Sequence, residues 1–459
     1  MTQDQVVGDA QQFLQQEDLP GWLVYDYRQS NPIFRQVITP SGHVTRPCFL
    51  FIPAMGNATL LTHHVDAGKF AGSGIDLLVY RNRQSMVENL RQALNGVGQV
   101  AMEYSPNNEL PRVSRVDAGT VELVRSLGIE VVSSADLMQY ATQRWTAEQL
   151  AGHQRAAAKL GQIVNEAFQL IGTRLNDRSW FDKLTTNGSE SVRPEPLRQA
   201  QDRPVEGQGP TEYEIAEYIR LRFAEEGLVA DDGPIVSVNA HCSDPHYEPE
   251  AEGSSAIQPG DWVLIDLWAR EANPPLPPLV RGDEGEIGLA DRENTSVYAD
   301  ITWTAYVGEE VPQKHQQIFD IVIGARDAAL QFLEDSFQRG ESVQGWQADA
   351  VARNYIEERG YGEYFTHRLG HSISYEVHGE AVNLDSFETH DTRRIIPGIG
   401  FSIEPGIYLP EFGVRSEIDA FMSESGPFAS SPVQREVVLI KGGVEQPNGG
   451  AHEHIPNQR

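Results

Sequence analysis

Cysteine, basic residues and long apolar runs are scarce in this 459-residue chain, and each scarcity closes off a class of protein. The two cysteines, Cys48 and Cys242, supply neither a disulfide framework nor a cysteine-rich zinc module. Lys and Arg number 36 against 66 Asp and Glu, a formal net charge of −30. Duplex nucleic-acid binders neutralise phosphates with basic residues, and membrane-surface proteins use polybasic patches, so neither partner is expected. No run approaches the roughly 18 apolar residues of a membrane span. The opening MTQDQVVGDAQQFLQQEDLPGW lacks both a basic start and an apolar core, so no signal peptide is expected and the expected setting is the cytoplasm. What remains, 40% hydrophobic and 22% charged, is the composition of a globular protein with a solvated acidic surface.

Length alone allows roughly three domains at about 150 residues each, but the pattern supports two. GWLVYDY (21–27), CFLFI (48–52), IDLLVY (75–80) and IEVV (129–132) read as strands, and 83–95 and 118–128 as helices. This alternation predicts an α/β domain over 1–145 with no chemistry of its own. Thr146 and Gln149 form a capping-box pattern that opens a long helix, and Thr211 and Glu214 open another. Strand pattern is expected from Pro234 to Arg270 and again in TSVYADITWTAYVG, followed by helices over about 312–338 and 345–359. Two Pro-rich irregular insertions are expected, at about 175–210 and 271–294, the first dispensable to the chemistry. The second domain then spans 146–445, and 446–459 is a flexible tail whose His452 and His454 read as incidental.

The second domain places charged and imidazole groups inside apolar strands. Asp266 interrupts VLIDLW and Asp300 interrupts VYADITWT. A buried carboxylate is costly unless it is paired or bound to metal, although either Asp alone also fits a strand end capping a turn. HRLGHSISYEVHGE carries His367, His371 and His378, three of the chain's 13 histidines within twelve residues. Glu404 lies in FSIEPGIYLP, Arg415 and Glu417 in FGVRSEID, and His246 in DPHYEP. Carboxylates with imidazole and no thiolate are the donor set of a hydrolytic dimetal site. Such a site needs bridging carboxylates to offset the repulsion of two cations about 3.5–4 Å apart.

The six motifs DPHYEP, GDWVLIDLWA, YADITWTAY, HRLGHSISYEVH, GFSIEPGIYLP and GVRSEID, in that order, resemble the pita-bread metallopeptidases, a family of Xaa-Pro aminopeptidases, prolidases, methionine aminopeptidases and creatinases. The resemblance covers about 146–440, and LPGWLVYDYRQSNP onward looks like a creatinase-type N-terminal domain. It implies an α/β (α+β) fold, with that domain followed by a pita-bread catalytic domain. By the same resemblance Asp266, Asp300, His371, Glu404 and Glu417 are metal ligands, Asp300 and Glu417 bridging. Glu404 also moves the proton of the attacking water. His246 and His378 contact the scissile amide and the developing oxyanion, and His367 matches the extra histidine of proline-directed members. Arg415 holds substrate or orients Glu417.

The resemblance implies a dinuclear metallopeptidase that cleaves the bond between an N-terminal residue and proline. It also implies two divalent ions per subunit, manganese foremost, with Zn, Co or Fe compatible, and a homo-oligomer (dimer or tetramer). Two other readings on the same fold are a creatinase-like C–N hydrolase and a catalytically silent binding module. Both expect lost ligands, and the five positions are intact. Departures from the family pattern touch the pocket instead. Asp266 and Asp300 lie 34 residues apart where about a dozen is usual, Trp303 stands where Arg is common, and Ser372 and Ser374 replace glycines.

Overall fold

The structure, a computed structural model, describes residues 2–176, 209–272 and 296–441. The two expected insertions and the tail with His452 and His454 lie almost wholly outside the described residues.

The N-terminal part is built on a six-stranded mixed sheet of β1 (Gly21–Asp26), β2 (Cys48–Pro53), β3 (Thr59–His63), β4 (Asp76–Tyr80), β5 (Gln99–Met102) and β6 (Glu130–Ser133), in the order β4-β3-β2-β1-β5-β6. Strands β1 and β2 are apolar without alternation because helices cover both faces of the sheet. Trp22 and Val24 pack on one face with Val6, Ala10, Phe13 and Leu14 of α1 (Gln3–Gln16). Leu23, Phe49 and Phe51 pack on the other with Met86 and Leu90 of α3 (Arg83–Ala93) and Val121 and Val124 of α4 (Ala118–Ser126). Between α1 and α3 lies the short α2 (Pro32–Val37), and α5 (Ala135–Thr142) closes this part. Each fully buried Leu or Phe contributes about 1.5–3 kcal/mol, so both cores are substantial. The helix α1 was not expected, although the Thr2–Gln5 capping box opens it and its apolar residues recur at helical spacing.

The C-terminal part repeats a simple order, a helix pair and then strands. Its first pair is α6 (Ala147–Asn176) and α7 (Glu212–Glu225), each opened by its predicted capping box. The pair packs on a sheet of β7 (Leu228–Val229), β8 (Ile235–Val238), β9 (Trp262–Glu271), β10 (Ala299–Val307) and, at the far edge, β17 (Val438–Ile440). The second pair, α8 (Gln313–Gln338) and α9 (Gly345–Glu357), buries its apolar faces in another core. That core is shared with a sheet of β11 (Ser372–Ile373), β12 (Gly400–Ile403), β15 (Ile418–Ser423) and β16 (Gly426–Ala429), and with the hairpin β13 (Gly406–Leu409) and β14 (Phe412–Arg415). No described helix is long and apolar enough to cross a membrane.

The expectation of strands from Pro234 to Arg270 is corrected in its middle. Between β8 and β9 the chain forms a short 3₁₀ turn, Asn239–Ser243, and then irregular backbone. Pro245, Pro249 and Pro259 cannot donate to a ladder, and Gly253 and Gly260 take positive φ (95° and 98°), so the segment loops.

Trp145 is one of the points where the two parts meet. Its ring stacks on Phe421 and its indole N–H donates to the Ile373 carbonyl at 3.2 Å. A Cβ at Gly400 would lie 2.1 Å from this ring, so only glycine allows the contact. The join sets the β11–β12 edge against the N-terminal part.

Candidate metal centre

Strands β9 and β10 pair antiparallel with Thr302 opposite Asp266 and Asp300 opposite Trp268. Side chains two apart on a strand share a face, so Asp266, Asp300 and Thr302 all project to one side. The separation of 34 residues therefore does not part the two aspartates, because the chain between them leaves and rejoins the same pair of strands.

The other groups arrive from the second sheet. Glu417 lies between β14 and β15, and its N–H donates to the Thr302 carbonyl at 3.2 Å. Asp300 N–H donates to Asp419 Oδ2 at 2.9 Å. His371 precedes β11 and Glu404 follows β12, and the two segments run side by side. Ser402 N–H donates to the His371 carbonyl, Glu404 N–H to the Leu369 carbonyl, and His371 N–H to Ser402 Oγ. A Cβ at Gly370 would meet the Ser402 carbonyl at 2.0 Å, so the glycine of HRLGH is what lets the strands close on each other.

Five predicted residues thus converge. Oxygens of Asp300 and Glu417 and a nitrogen of His371 lie within 4.8 Å of one another, all buried. His371 Nε2 is 3.7 Å from Asp300 Oδ2 and 3.4 Å from Glu404 Oε1. His371 Nδ1 contacts the Ser372 carbonyl at 3.2 Å, and a carbonyl only accepts, so Nδ1 carries the proton. Its Nε2 lone pair therefore faces carboxylate lone pairs, an arrangement that calls for a cation between them. Asp266 Oδ1, Asp300 Oδ1 and Glu417 Oε1 are buried without a hydrogen-bond partner among the described residues. These are the free oxygens a metal site needs, and the donor set fits divalent ions.

The electrostatics agree. Burial, then the Glu417 and Asp266 charges, push the Asp300 carboxyl well above the usual carboxylate range. Burial and the neighbouring acids do the same to Glu417. Glu404 is raised to about 7, by burial first. Burial holds His371 well below the usual imidazole value. Fully ionised, the carboxylates of Asp266, Asp300, Glu404 and Glu417 would outnumber the guanidinium of Arg415 by three charges, which is why they hold protons unless a cation is present.

Arg415 is buried and its role is structural to the site. It donates through Nη2 to Asp266, through Nε to Thr302 Oγ1 at 3.1 Å, and through Nη1 to the Pro245 carbonyl at 3.2 Å and the Tyr408 hydroxyl at 3.3 Å. Thr302 Oγ1 passes the chain on to Glu417 Oε2 at 2.7 Å. Through Pro245, Arg415 also steadies the loop carrying His246, whose own side chain is exposed. His367 Nδ1 contacts the Arg368 carbonyl at 2.6 Å and its Nε2 the Tyr408 hydroxyl at 2.7 Å, so both ring nitrogens are spent on the protein. His378 is solvent-exposed and stacks edge-on to His371, ring centres 4.3 Å apart. Tyr408, Thr302, Ser402 and Asp419 were not anticipated. Thr302 had a signal, since it lies two residues from Asp300 on a strand. Tyr408 had none, because its partners sit on other segments, Arg415 across the β13–β14 hairpin and His367 41 residues away.

The model of Metallopeptidase family M24 matches residues 153–272 and 292–424, more than half of the chain. An Xaa-Pro dipeptidase of Lactobacillus delbrueckii is 29% identical over 238 residues, 51% of this chain and 55% of that protein. An Xaa-Pro dipeptidase of Pyrococcus horikoshii is 34% identical over 183 residues, 40% of this chain and 42% of that protein. The matched region thus spans about half the length of these curated relatives or less. Among solved structures, a dipeptidase from Mycobacterium ulcerans superposes with a TM-score of 0.64 at 21% identity, covering 96% of this chain and 98% of that one. A prolidase from Thermococcus sibiricus gives 0.56 at 19% identity, with 96% and 99% covered. The expected mixed α/β pita-bread fold is the one observed.

Proposed function

The chain belongs to metallopeptidase family M24, and on that footing we propose that it hydrolyses the bond between an N-terminal residue and proline, using two divalent ions, with manganese as the metal of choice. The observation that carries this reading is the set of buried, partnerless oxygens on Asp266, Asp300 and Glu417 beside an imidazole whose Nε2 lacks a proton. Ions held by these residues with Glu404 supply Lewis-acid polarisation of the scissile carbonyl and acidify water.

The chain's own residues do the rest. Glu404 has the most accessible side chain of the acids at the site, 14% exposed against 6% for Asp300 and 10% for Asp266. Ser402 Oγ donates to Glu404 Oε1 at 3.0 Å, leaving the second oxygen to take a proton from water and deliver it to the departing nitrogen. Proline leaves as a secondary amine, so its nitrogen must gain a proton as the C–N bond breaks, and Glu404 relays the one it took from the water. His378 and His246 face the substrate as donors to the amide and the developing oxyanion, worth about 2.7–4 kcal/mol by comparison with other oxyanion donors. His367 acts at one remove, through Tyr408 and Arg415. We further propose the division into domains 1–145 and 146–445, and a homo-oligomeric assembly.

Metal analysis and a peptide panel test this together. Purified protein is expected to hold about two transition ions per chain. With Mn it should cleave Gly-Pro, Ala-Pro or a longer Xaa-Pro peptide, and the pattern separates dipeptidase from aminopeptidase. Intact metal content with no cleavage of any of them would sink the proline specificity. Full activity without metal would instead favour the creatinase-like reading.

A further inference from the structure

Residues 374–380, which carry His378, have neither helix nor strand, and the His378 imidazole makes no hydrogen bond among the described residues. Its position therefore follows its backbone. On one side that backbone is tied to the metal-site strand, where Gly379 N–H donates to the Ser372 carbonyl at 2.6 Å. On the other side the tie comes from the N-terminal part. Arg112 Nη1 donates to the carbonyls of His378 and Gly379, both at 3.2 Å, and reaches Glu380 Oε1 at 3.4 Å. Arg115 Nη2 binds the same Glu380 oxygen at 2.7 Å.

The base of this tie is rigid. Leu110, Val113 and Val116 are buried in the N-terminal cores, and Arg115 and Val116 N–H groups both donate to the Glu103 carbonyl. All three contacts fall on Nη1, whose two hydrogens are shared among the two successive carbonyls and the carboxylate, in directions that the guanidinium plane fixes. We propose that Arg112 is a positioning residue for His378, so that the N-terminal sheet of the chain sets the placement of an outer histidine in its own metal site. This rests on the peptidase reading for its catalytic consequence, but the tie itself can be read without substrate.

The experiment uses the full-length chain with Arg112→Met, which keeps length and loses the donors, and Arg112→Lys, which restores a cation. In metal-free protein, amide exchange at Gly379 should accelerate at least on the order of tenfold in Arg112→Met and return most of the way in Arg112→Lys. In metal-loaded protein, Arg112→Met should lower kcat on the order of tenfold with KM and metal content near wild type. In a His378→Ala background the same change should cost nothing further. Unchanged Gly379 exchange overturns the proposal. So does an equal loss of kcat with and without His378. A responsive Gly379 in a protein that cleaves no peptide would leave the tie standing and refute the peptidase reading instead.

Discussion

Buried acids in this molecule are treated in two opposite ways. In the N-terminal part Glu103 is fully buried and satisfied. Its Oε1 accepts from Trp22 Nε1 at 2.6 Å and Ser134 Oγ at 3.1 Å, and its Oε2 from Asn31 Nδ2 at 3.1 Å. In the C-terminal part Asp266, Asp300 and Glu417 are also buried, yet each keeps an oxygen with no donor among the described residues. The difference separates an acid that ties elements together from an acid that awaits a cation. Burial alone does not distinguish them; a free oxygen set among other acids does, whereas Glu380, whose Oε2 is also free, is paired with Arg112 and Arg115.

The comparison breaks most visibly at Glu417. Glu417→Ala should strip metal from the chain and abolish activity, a larger effect than the roughly 10–100-fold typical of residues that only support a ligand. In metal-free protein the same acid is a liability, so Glu417→Gln should raise the melting temperature by relieving repulsion among the carboxylates. Metal analysis with calorimetry, with and without chelator, reads both signs. A metal-free variant less stable than wild type would mean that Glu417 is a structural node like Glu103.

Glu103→Ala should show the converse. It strands three buried donors and should cost on the order of 3 kcal/mol in denaturant unfolding, with metal content unchanged. Loss of metal here would show that the two kinds of acid are coupled across the contacts between the two parts. Thr302→Val comes next in size. It removes the donor to Glu417 and the acceptor for Arg415 at little change of shape, and should weaken metal binding by about 10–100-fold and cost about 1–3 kcal/mol of stability through the stranded Arg415 Nε. Titration with Mn and a competing chelator measures it, and wild-type affinity would remove Thr302 from the site.

How much of this was legible beforehand divides along the same line. Asp266 and Asp300 announced themselves as charges inside apolar strands, and the ordered motifs around His371, Glu404 and Glu417 completed the set. Glu103, in QVAMEYSP, carries a similar signature and went unremarked, because its partners Trp22, Asn31 and Ser134 lie up to 81 residues away. Arg112 was equally silent, since it meets His378 across 266 residues. Helix α1 differs in kind, since its signal is local: the Thr2–Gln5 capping box and the helical spacing of Val6, Ala10, Phe13 and Leu14. Local pattern reports what a residue is, and only the fold reports what it touches.

The smallest effect is also the most direct test of how the two regions handle charge. Burial pushes Glu103 up to about 7 from an ordinary 4.5, and it pushes His153 of α6, between the Tyr298 carbonyl and Ser430 Oγ, down to about 4 from 6.5. Glu103 folds preferentially protonated, so its contribution is fully present below pH 4.5 and is lost as pH rises through 7. His153 folds preferentially neutral, so its contribution is present above pH 6.5 and is lost as pH falls through 4. Over pH 5–7 the two contributions each change by about 2 kcal/mol with opposite sign and largely cancel. Glu103→Gln deletes one of them. Denaturant unfolding at pH 5, 6 and 7 should therefore show the wild-type-minus-variant stability falling by about 2 kcal/mol across that range, the histidine's effect being common to both. A difference that stays flat would mean that the three donors keep Glu103 ionised throughout, and that the N-terminal acid holds its charge as firmly as a metal-bound one would.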